Sequence, residues 1–440
     1  MPITVIDSPM GAGKTTWMIN HILKTPRVGL NASHHHGWIY ITPLLTEVHR
    51  ILDKCETIGF VEPVNEMAHD GNKITHFRNL VLSGRNIVST HALFRYMTSE
   101  MIDLLRDRGY TLVIDETLGM VEDYDGITRA NRKLLEHHGA ISVAEDGQVR
   151  YHPDSAQQYL GIQQGDRFRD FLLLCQSGSL VCVNGEFIIW RMPAEFLRAF
   201  KQVYILSYLF RGSLMSHYLD AHGIDYRMCS IRDGDLVDYN AGNTASLKLQ
   251  ISELVNLYDG SLNKCGARYG KAQPLSSSWY DREKRDKKSS RIESVQKSAY
   301  NWFNNVCRTK SDLNMWTSKK SMSGLLGGRG YQKGFVPMNT RATNDFRHKA
   351  SCAYLHNRFI RRPLISYFNQ YNIQPRDDLF ALTELIQWAW RSRIRDGEPI
   401  NLFIPSERMR NIFKNWLSYN DIDISNGQSL DHPYTATLIA

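Results

Sequence analysis

Long apolar runs are missing from this chain. None of its 440 residues lies in a stretch approaching the ~18–20 apolar residues that a membrane-spanning helix needs, so no membrane partner is expected. Cysteine is sparse. The seven residues, Cys55, Cys175, Cys182, Cys229, Cys265, Cys307 and Cys352, are scattered and show no C-x-x-C spacing. That pattern argues for reduced intracellular thiols, and against both a zinc site and a disulfide framework. The first apolar segment opens at residue 3, leaving no room for a signal peptide, so a cytoplasmic location is expected. No internal repeat is visible. Acidic residues are outnumbered, 45 against 53 Lys and Arg, which gives a net charge of +8 and a pI of about 9.0. Such a balance favours a polyanionic partner. His34-His35-His36 could form a metal patch, but a surface loop before a strand is the expected reading.

Apolar residues make up 42% and charged residues 22%, which suits a soluble globular protein of two to three domains. Short apolar segments at 3–6, 38–42, 86–89, 111–114 and 203–206 read as strands, with helical patterns between them, for example at 45–52 and 94–106. Buried strands alternating with helices predict a parallel sheet covered on both faces. Between about 122 and 200 the pattern changes. Asp146-Gly147 and Asn184-Gly185 each sit between apolar runs and predict two-residue hairpins, so this stretch reads as an insertion. The expected division is a first domain over 1–212, with the insertion, and a second over 213–440. Strands are expected in the second at 226–231, 314–317, 351–355 and 400–404, and helices at 292–306, 378–392 and 406–418. The stretches 259–290 and 324–334 read as loops. Positive charge gathers at 282–291 and at Lys319, Lys320, Arg329 and Lys333.

The most informative stretch is 8–16, Ser-Pro-Met-Gly-Ala-Gly-Lys-Thr-Thr, directly after the first apolar segment. A strand running into a glycine turn that ends in Lys-Thr is a phosphate cradle. Pro9, Met10, Gly11, Ala12 and Gly13 form the turn and offer backbone N–H groups. Lys14 supplies a point charge to the β- and γ-phosphates, the Thr15 hydroxyl suits Mg²⁺, and Thr16 lies in the helix that follows. The strict pattern has Gly at its first position, where this chain has Ser8. About 100 residues on, the apolar strand 111–114 ends in Asp115-Glu116. Asp115 would hold Mg²⁺ with Thr15, and Glu116 would polarise the water that attacks the γ-phosphate. The Glu points to an NTP hydrolase rather than a nucleotide kinase.

Phosphate loop, Asp-Glu strand and basic chain together resemble a superfamily 2 helicase or translocase, and the Ser-Pro-Met-Gly-Ala-Gly-Lys-Thr loop (Walker A) resembles those of phage helicases and herpesvirus-type origin-binding helicases. The resemblance implies two RecA-like α/β domains. It also implies nucleic-acid contacts from Thr42-Pro43 and from Ser89-Thr90-His91, strand ends whose hydroxyls and amides suit phosphates. Residues 203–210, Val-Tyr-Ile-Leu-Ser-Tyr-Leu-Phe, resemble the coupling motif, commonly Ser-Ala-Thr, of which only Ser207 matches. Residues 339–345, Asn-Thr-Arg-Ala-Thr-Asn-Asp, resemble the motif that joins nucleotide and nucleic-acid sites. Thr340 and Arg341 would then face nucleic acid and Asp345 the nucleotide. Lys319 and Lys320 are added as nucleic-acid contacts. Gln387 and Arg391 align with Gln-x-x-Gly-Arg-x-Gly-Arg, although both glycines are replaced; Arg391, Arg393 and Arg395 are the candidates for an arginine finger. Only seven residues precede Ser8, so the adenine-reading glutamine motif has no place; ATP with Mg²⁺ remains the expected cofactor pair. Phe187 and Trp190 on the second hairpin are a candidate strand-splitting wedge, or simply packing residues.

The expected function is therefore an ATP-dependent helicase or translocase, acting on DNA in preference to RNA in phage or viral replication or recombination, in the host cytoplasm. Oligomeric state is left open, with a monomer favoured. Two rivals stand beside it. One is a viral DNA-packaging motor ATPase, which would need a ring. The other is a nucleotide-dependent switch or assembly factor that does not act on nucleic acid.

Overall fold

The computed structural model describes residues 3–25, 37–65, 72–160, 167–240, 245–338 and 345–418. In chain order the strands of the first half are β1 (Ile3–Asp7), β2 (Trp38–Thr42), β3 (Ile87–Thr90), β4 (Thr111–Asp115), β5 (Val121–Asp123), β6 (Ile141–Val143), β7 (Val149–Tyr151), β8 (Leu180–Val183), β9 (Phe187–Arg191) and β10 (Gln202–Ser207). The second half adds β11 (Tyr226–Arg232), β12 (Asp235–Asp238), β13 (Val255–Leu257), β14 (Asn314–Thr317), β15 (Ser351–Tyr354) and β16 (Ile400–Phe403).

The fold is α/β, built on two mainly parallel sheets as expected of two RecA-like domains. The first sheet has the order β12-β11-β1-β10-β4-β2-β3, and the second β13-β16-β15-β14. The pairings of β1 with β10 and β11, of β10 with β4, of β4 with β2 and of β2 with β3 are all parallel. Parallel strands covered on both faces need apolar residues throughout, and β2 is buried at all five positions. Helix Lys14–Lys24 packs Met18, Ile19 and Ile22 into the same core as Ile6, Tyr40, Val88 and Val113. In the second unit Trp302, Trp316, Tyr331 and Phe403 form a separate aromatic core.

By compactness the chain divides into one unit of Met1–Asp7, Gly13–Leu236 and Ile360–Pro375, and another of Ser8–Ala12, Val237–Phe359 and the residues from Arg376. Besides the grouping of Ser8–Ala12, two elements differ from the expected division at 212/213. The expected division puts the strand at 226–231 in the second domain, yet β11 pairs with β1, Ile3 opposite Tyr226, and extends the first sheet. Helix Arg362–Asn369 also belongs to the first unit. Its Tyr367 hydroxyl meets His222 Nε2 at 2.9 Å, and Arg361 just before it pairs with Asp123 at 2.9 Å.

The insertion does contain both hairpins. Their loops are longer than the two residues expected: Val183 pairs with Phe187 around Asn184, Gly185 and Glu186, with Asn184 and Gly185 left-handed at φ of 53° and 66°, and Val143 pairs with Val149 in the other hairpin. The wedge reading is corrected. Trp190 is only 2% exposed and lies under the Arg95 guanidinium, 4.8 Å from its ring centroid. Phe187 is half-buried. The stretch 259–290, read as a loop, carries helix Ser277–Arg285, because Trp279 and Tyr280 are core residues within an otherwise charged segment. The run 324–334 likewise contains short helical turns that bury Leu326 and Tyr331. The His34–His36 patch lies outside the described residues.

One side chain ties the insertion together. Arg132, 2% exposed, donates to Glu136 Oε1 at 2.8 Å, to Cys182 Sγ at 3.1 Å and to the Gly185 carbonyl at 2.7 Å. It thereby fastens helix Arg129–His137 to the β8–β9 turn. Replacing it removes charge-assisted hydrogen bonds worth about 1.5–3 kcal/mol. Arg132→Met should lower the unfolding free energy by about that amount in chemical denaturation. Arg132→Lys should fall between, since an ammonium cannot serve Glu136 and the Gly185 carbonyl with one rigid fork. A methionine variant as stable as the parent would show that the fastening is not there.

Candidate functional site

The parallel register brings three strand ends level. Asp7 at the end of β1 lies opposite Ser207 of β10, and Leu206 of β10 lies opposite Asp115 of β4. Ligands in such sheets bind beyond the carboxyl ends of the strands, and the loop 8–13 starts there. Gly11 and Gly13 have φ of 86° and 84°. An added Cβ at either would meet no neighbouring atom within 4 Å, so the backbone angle, not space, calls for glycine. Ala12 N donates to Pro9 O at 3.2 Å and closes the turn. Gly13 is the N-cap of helix Lys14–Lys24 and provides no side-chain cap. The first-turn N–H groups of that helix therefore have no intrahelical acceptor, an arrangement suited to a phosphate.

Asp115 is the centre of the site. Its Oδ2 accepts from the Thr15 hydroxyl at 3.1 Å and from the Tyr40 hydroxyl at 2.8 Å. His91 Nε2 lies 3.2 Å from the Asp115 carbonyl oxygen. Burial raises the Asp115 pKa; the Tyr40 hydrogen bond, Lys14 and the Thr15 hydrogen bond oppose that shift. Lys14 is pushed down to about 8, first by burial, with Asp115, Asp7 and Glu116 pulling it back up. Glu116 follows with φ of 63°, a left-handed conformation rare for a non-glycine residue, and its N–H donates to Leu206 O at 3.0 Å. The Thr15 hydroxyl and the Asp115 carboxylate are adjacent hard oxygen donors, a set that fits Mg²⁺.

Sequence reasoning missed Tyr40. Its only signal was a hydroxyl-bearing aromatic inside an apolar strand, which reads as core, and it is indeed fully buried. The other expected residues fall as follows. Thr42 ends β2 and Ser89 is the last but one residue of the adjacent β3, but both side chains are buried and their hydroxyls have no hydrogen-bond partner. Pro43, Thr90 and His91 are half-buried beside them. Ser207 is 5% exposed at the end of β10. In the second unit, Gln387 is half-buried on helix Asp377–Ala389. The Arg391 guanidinium is buried and donates through Nη1 and Nη2 to Met338 O, both at 3.3 Å. Arg393 Nε donates to Pro399 O at 2.6 Å, and Arg395 is exposed. Lys319 pairs with Asp281, while Lys320 and Asp345 are exposed. Thr340 and Arg341 lie outside the described residues. No helix among the described residues is long and apolar enough to cross a membrane.

An α/β chain of two parallel sheets, in which Thr15 meets Asp115 beyond the carboxyl ends of the first sheet's strands, is the class so defined. The chain belongs to the YonV family. It is 34% identical over 421 residues to the SPbeta prophage-derived uncharacterized protein YonV of Bacillus subtilis (strain 168), a match covering 94% of this chain and 98% of that protein. Residues 249–417 match the family model of the YonV C-terminal Rossmann-like domain, which spans the second sheet. A solved structure of S. tokodaii Xpd4 aligns over 94% of both chains at 10% identity with a TM-score of 0.40, and nothing about this chain follows at that level.

The raised Asp115 pKa has a consequence for stability. A carboxyl that binds its proton more tightly in the folded state destabilises the fold once pH rises above its unfolded value of 3.8. Asp115→Asn keeps an oxygen that accepts from Thr15 and Tyr40. It should raise the ligand-free melting temperature at pH 8, and that gain should shrink as pH falls toward 3.8. A variant that melts lower than the parent at pH 8 would contradict the burial argument.

Proposed function

We propose that the protein is an NTP hydrolase, with ATP as the default nucleotide, that couples hydrolysis to movement along nucleic acid. One observation carries the reading: the Thr15 hydroxyl and the Asp115 carboxylate, 100 residues apart in sequence, meet at 3.1 Å beside Lys14 and Glu116. That is the set of groups phosphoanhydride hydrolysis needs. The net charge of +8 supports a polyanionic track. The prophage origin of the YonV relative supports a phage role.

Lys14, with its pKa near 8, is mostly protonated at neutral pH and offers its charge to the β- and γ-phosphates. Tyr40 and Thr15 hold one oxygen of Asp115 and so fix that carboxylate. When bound, Mg²⁺ supplies charge neutralisation on the phosphates, with Thr15 and Asp115 as its protein ligands. Glu116, one residue on, orients and polarises the attacking water. Among Arg391, Arg393 and Arg395 we place the cation that neutralises charge developing on the γ-phosphate. Thr42, Pro43, Ser89, Thr90, His91, Lys319, Lys320, Thr340 and Arg341 are the proposed contacts to the nucleic-acid backbone. Ser207 couples the two activities, and Asp345 belongs to the nucleotide side.

The decisive experiment is steady-state ATP hydrolysis with and without single-stranded DNA, duplex DNA and RNA, with Lys14→Ala beside each. Stimulation by one nucleic acid, lost in the mutant, is expected and would name the track. A rate indifferent to every nucleic acid would replace this reading with a nucleotide switch, and a ring-sized particle would favour a packaging motor. Glu116→Gln should lower kcat by about 100- to 10,000-fold and leave nucleotide affinity unchanged.

Phosphate binding favours the ammonium form of Lys14, so its bound pKa must rise above the free value near 8. Nucleotide affinity should accordingly be flat below pH 8 and weaken above it, by up to about tenfold per pH unit. Titration with a fluorescent nucleotide from pH 6.5 to pH 9.5 (an order-of-magnitude window, roughly 1.5 units either side of 8) reads this directly. An affinity that stays constant throughout would remove Lys14 from the phosphate site.

A further inference from the structure

The first unit holds a cavity of about 350 Å³ that the phosphate loop does not line. Its wall includes Gln148, Arg191 and His222. Arg191 ends β9, and its half-buried guanidinium is held on two sides by neutral groups. Nη1 donates to the Tyr371 hydroxyl at 2.9 Å, and Nη2 donates to Gln148 Oε1 at 2.9 Å. Gln148 is itself locked, since its Nε2 donates to the carbonyls of Gly178 and Leu180, both at 3.0 Å. His222 lies against the same tyrosine, its ring centroid 5.1 Å from that of Tyr371, and its Nε2 is 2.9 Å from the Tyr367 hydroxyl. Burial, together with Arg191 and Arg198, pushes the His222 pKa down to about 4, so this ring is neutral too.

The carboxylates on the wall do not balance Arg191. Asp103 is 64% exposed and pairs with Arg106; Glu195 is 59% exposed and lies 4.0 Å from Arg198. Each acid therefore has its own arginine at the rim. A cation drawn partly out of water is normally met by an opposite charge. Here two phenols, Tyr371 and Tyr367, and an amide stand where a carboxylate would be expected. We infer that the cavity binds a small oxyanion, a carboxylate or a phosphate group, with Arg191 as its counter-charge. Gln148 and Tyr371 hold the guanidinium plane in place, which lowers the entropy lost when its fork takes up two oxygens. The volume suits a metabolite-sized ligand.

The test is done on the full chain carrying Lys14→Ala, which removes the lysine of the phosphate loop from the response. Thermal midpoints are followed against inorganic phosphate and against acetate, at constant ionic strength with chloride as balance. A saturable rise is expected and should be abolished by Arg191→Met. It should also be weakened severalfold by Ser99→Asp, which adds a carboxylate to the wall at the first turn of helix Ser99–Arg108, where an acid is tolerated. A response to phosphate alone identifies a phosphate group, to acetate alone a carboxylate, and to both a general oxyanion site. No saturable rise with either ion overturns the proposal, as does a rise that survives Arg191→Met. Should that variant fail to fold, an undiminished response in Ser99→Asp overturns it.

Discussion

A hydrogen bond between two residues 100 positions apart, the Thr15 hydroxyl and the Asp115 carboxylate, is the constraint on which the first unit is organised. It can form only if β1 and β4 end at the same height. Neither strand touches the other: β10 lies between them, and its parallel register with both sets that height. A one-residue slip in either pairing would turn the alternating side chains to opposite faces and carry Asp115 away from the loop. The apolar residues of β4 and β10 thus do more than fill a core. They fix the level at which the polar chemistry occurs.

Much of this was legible from sequence because the local signals agree with the global ones. Short apolar segments bounded by turn residues sit where β1, β2, β3, β4 and β10 are found, and both Asx-Gly turns close hairpins. What was not legible depends on tertiary partners. Tyr40 resembles any core aromatic until Asp115 is placed 2.8 Å from its hydroxyl. β11 is an ordinary strand whose sheet is chosen by pairing with β1, and no local pattern announces that choice. Helix Arg362–Asn369 lies late in the chain yet belongs to the first unit, through Tyr367, Phe368 and the Arg361 ion pair. Trp279 and Tyr280 turn a basic stretch into a packed helix, because two large buried rings outweigh a local excess of charge.

The site also concentrates features that a fold selected only for stability would avoid. Asp115 is a carboxyl whose ionised form is penalised by burial, and Lys14 an ammonium penalised in the same way. Glu116 adopts a left-handed backbone without being glycine. Each is unfavourable alone, and two of the three lie on consecutive residues. Perturbed titration and backbone strain gathered at one strand end point to a functional demand, because packing gains nothing from them.

The same reasoning separates the arginines of this chain. Arg132 is buried more deeply than Arg191, but Glu136 answers its charge, so it needs no more than a structural role. Arg191 is met by two tyrosines and a glutamine, and the cavity it borders is large enough to admit the missing partner. Burial alone would have ranked these two residues in the opposite order. Charge balance is the better guide, since a paired ion is satisfied within the fold, whereas an unbalanced one leaves an electrostatic free energy that only a ligand or solvent can supply.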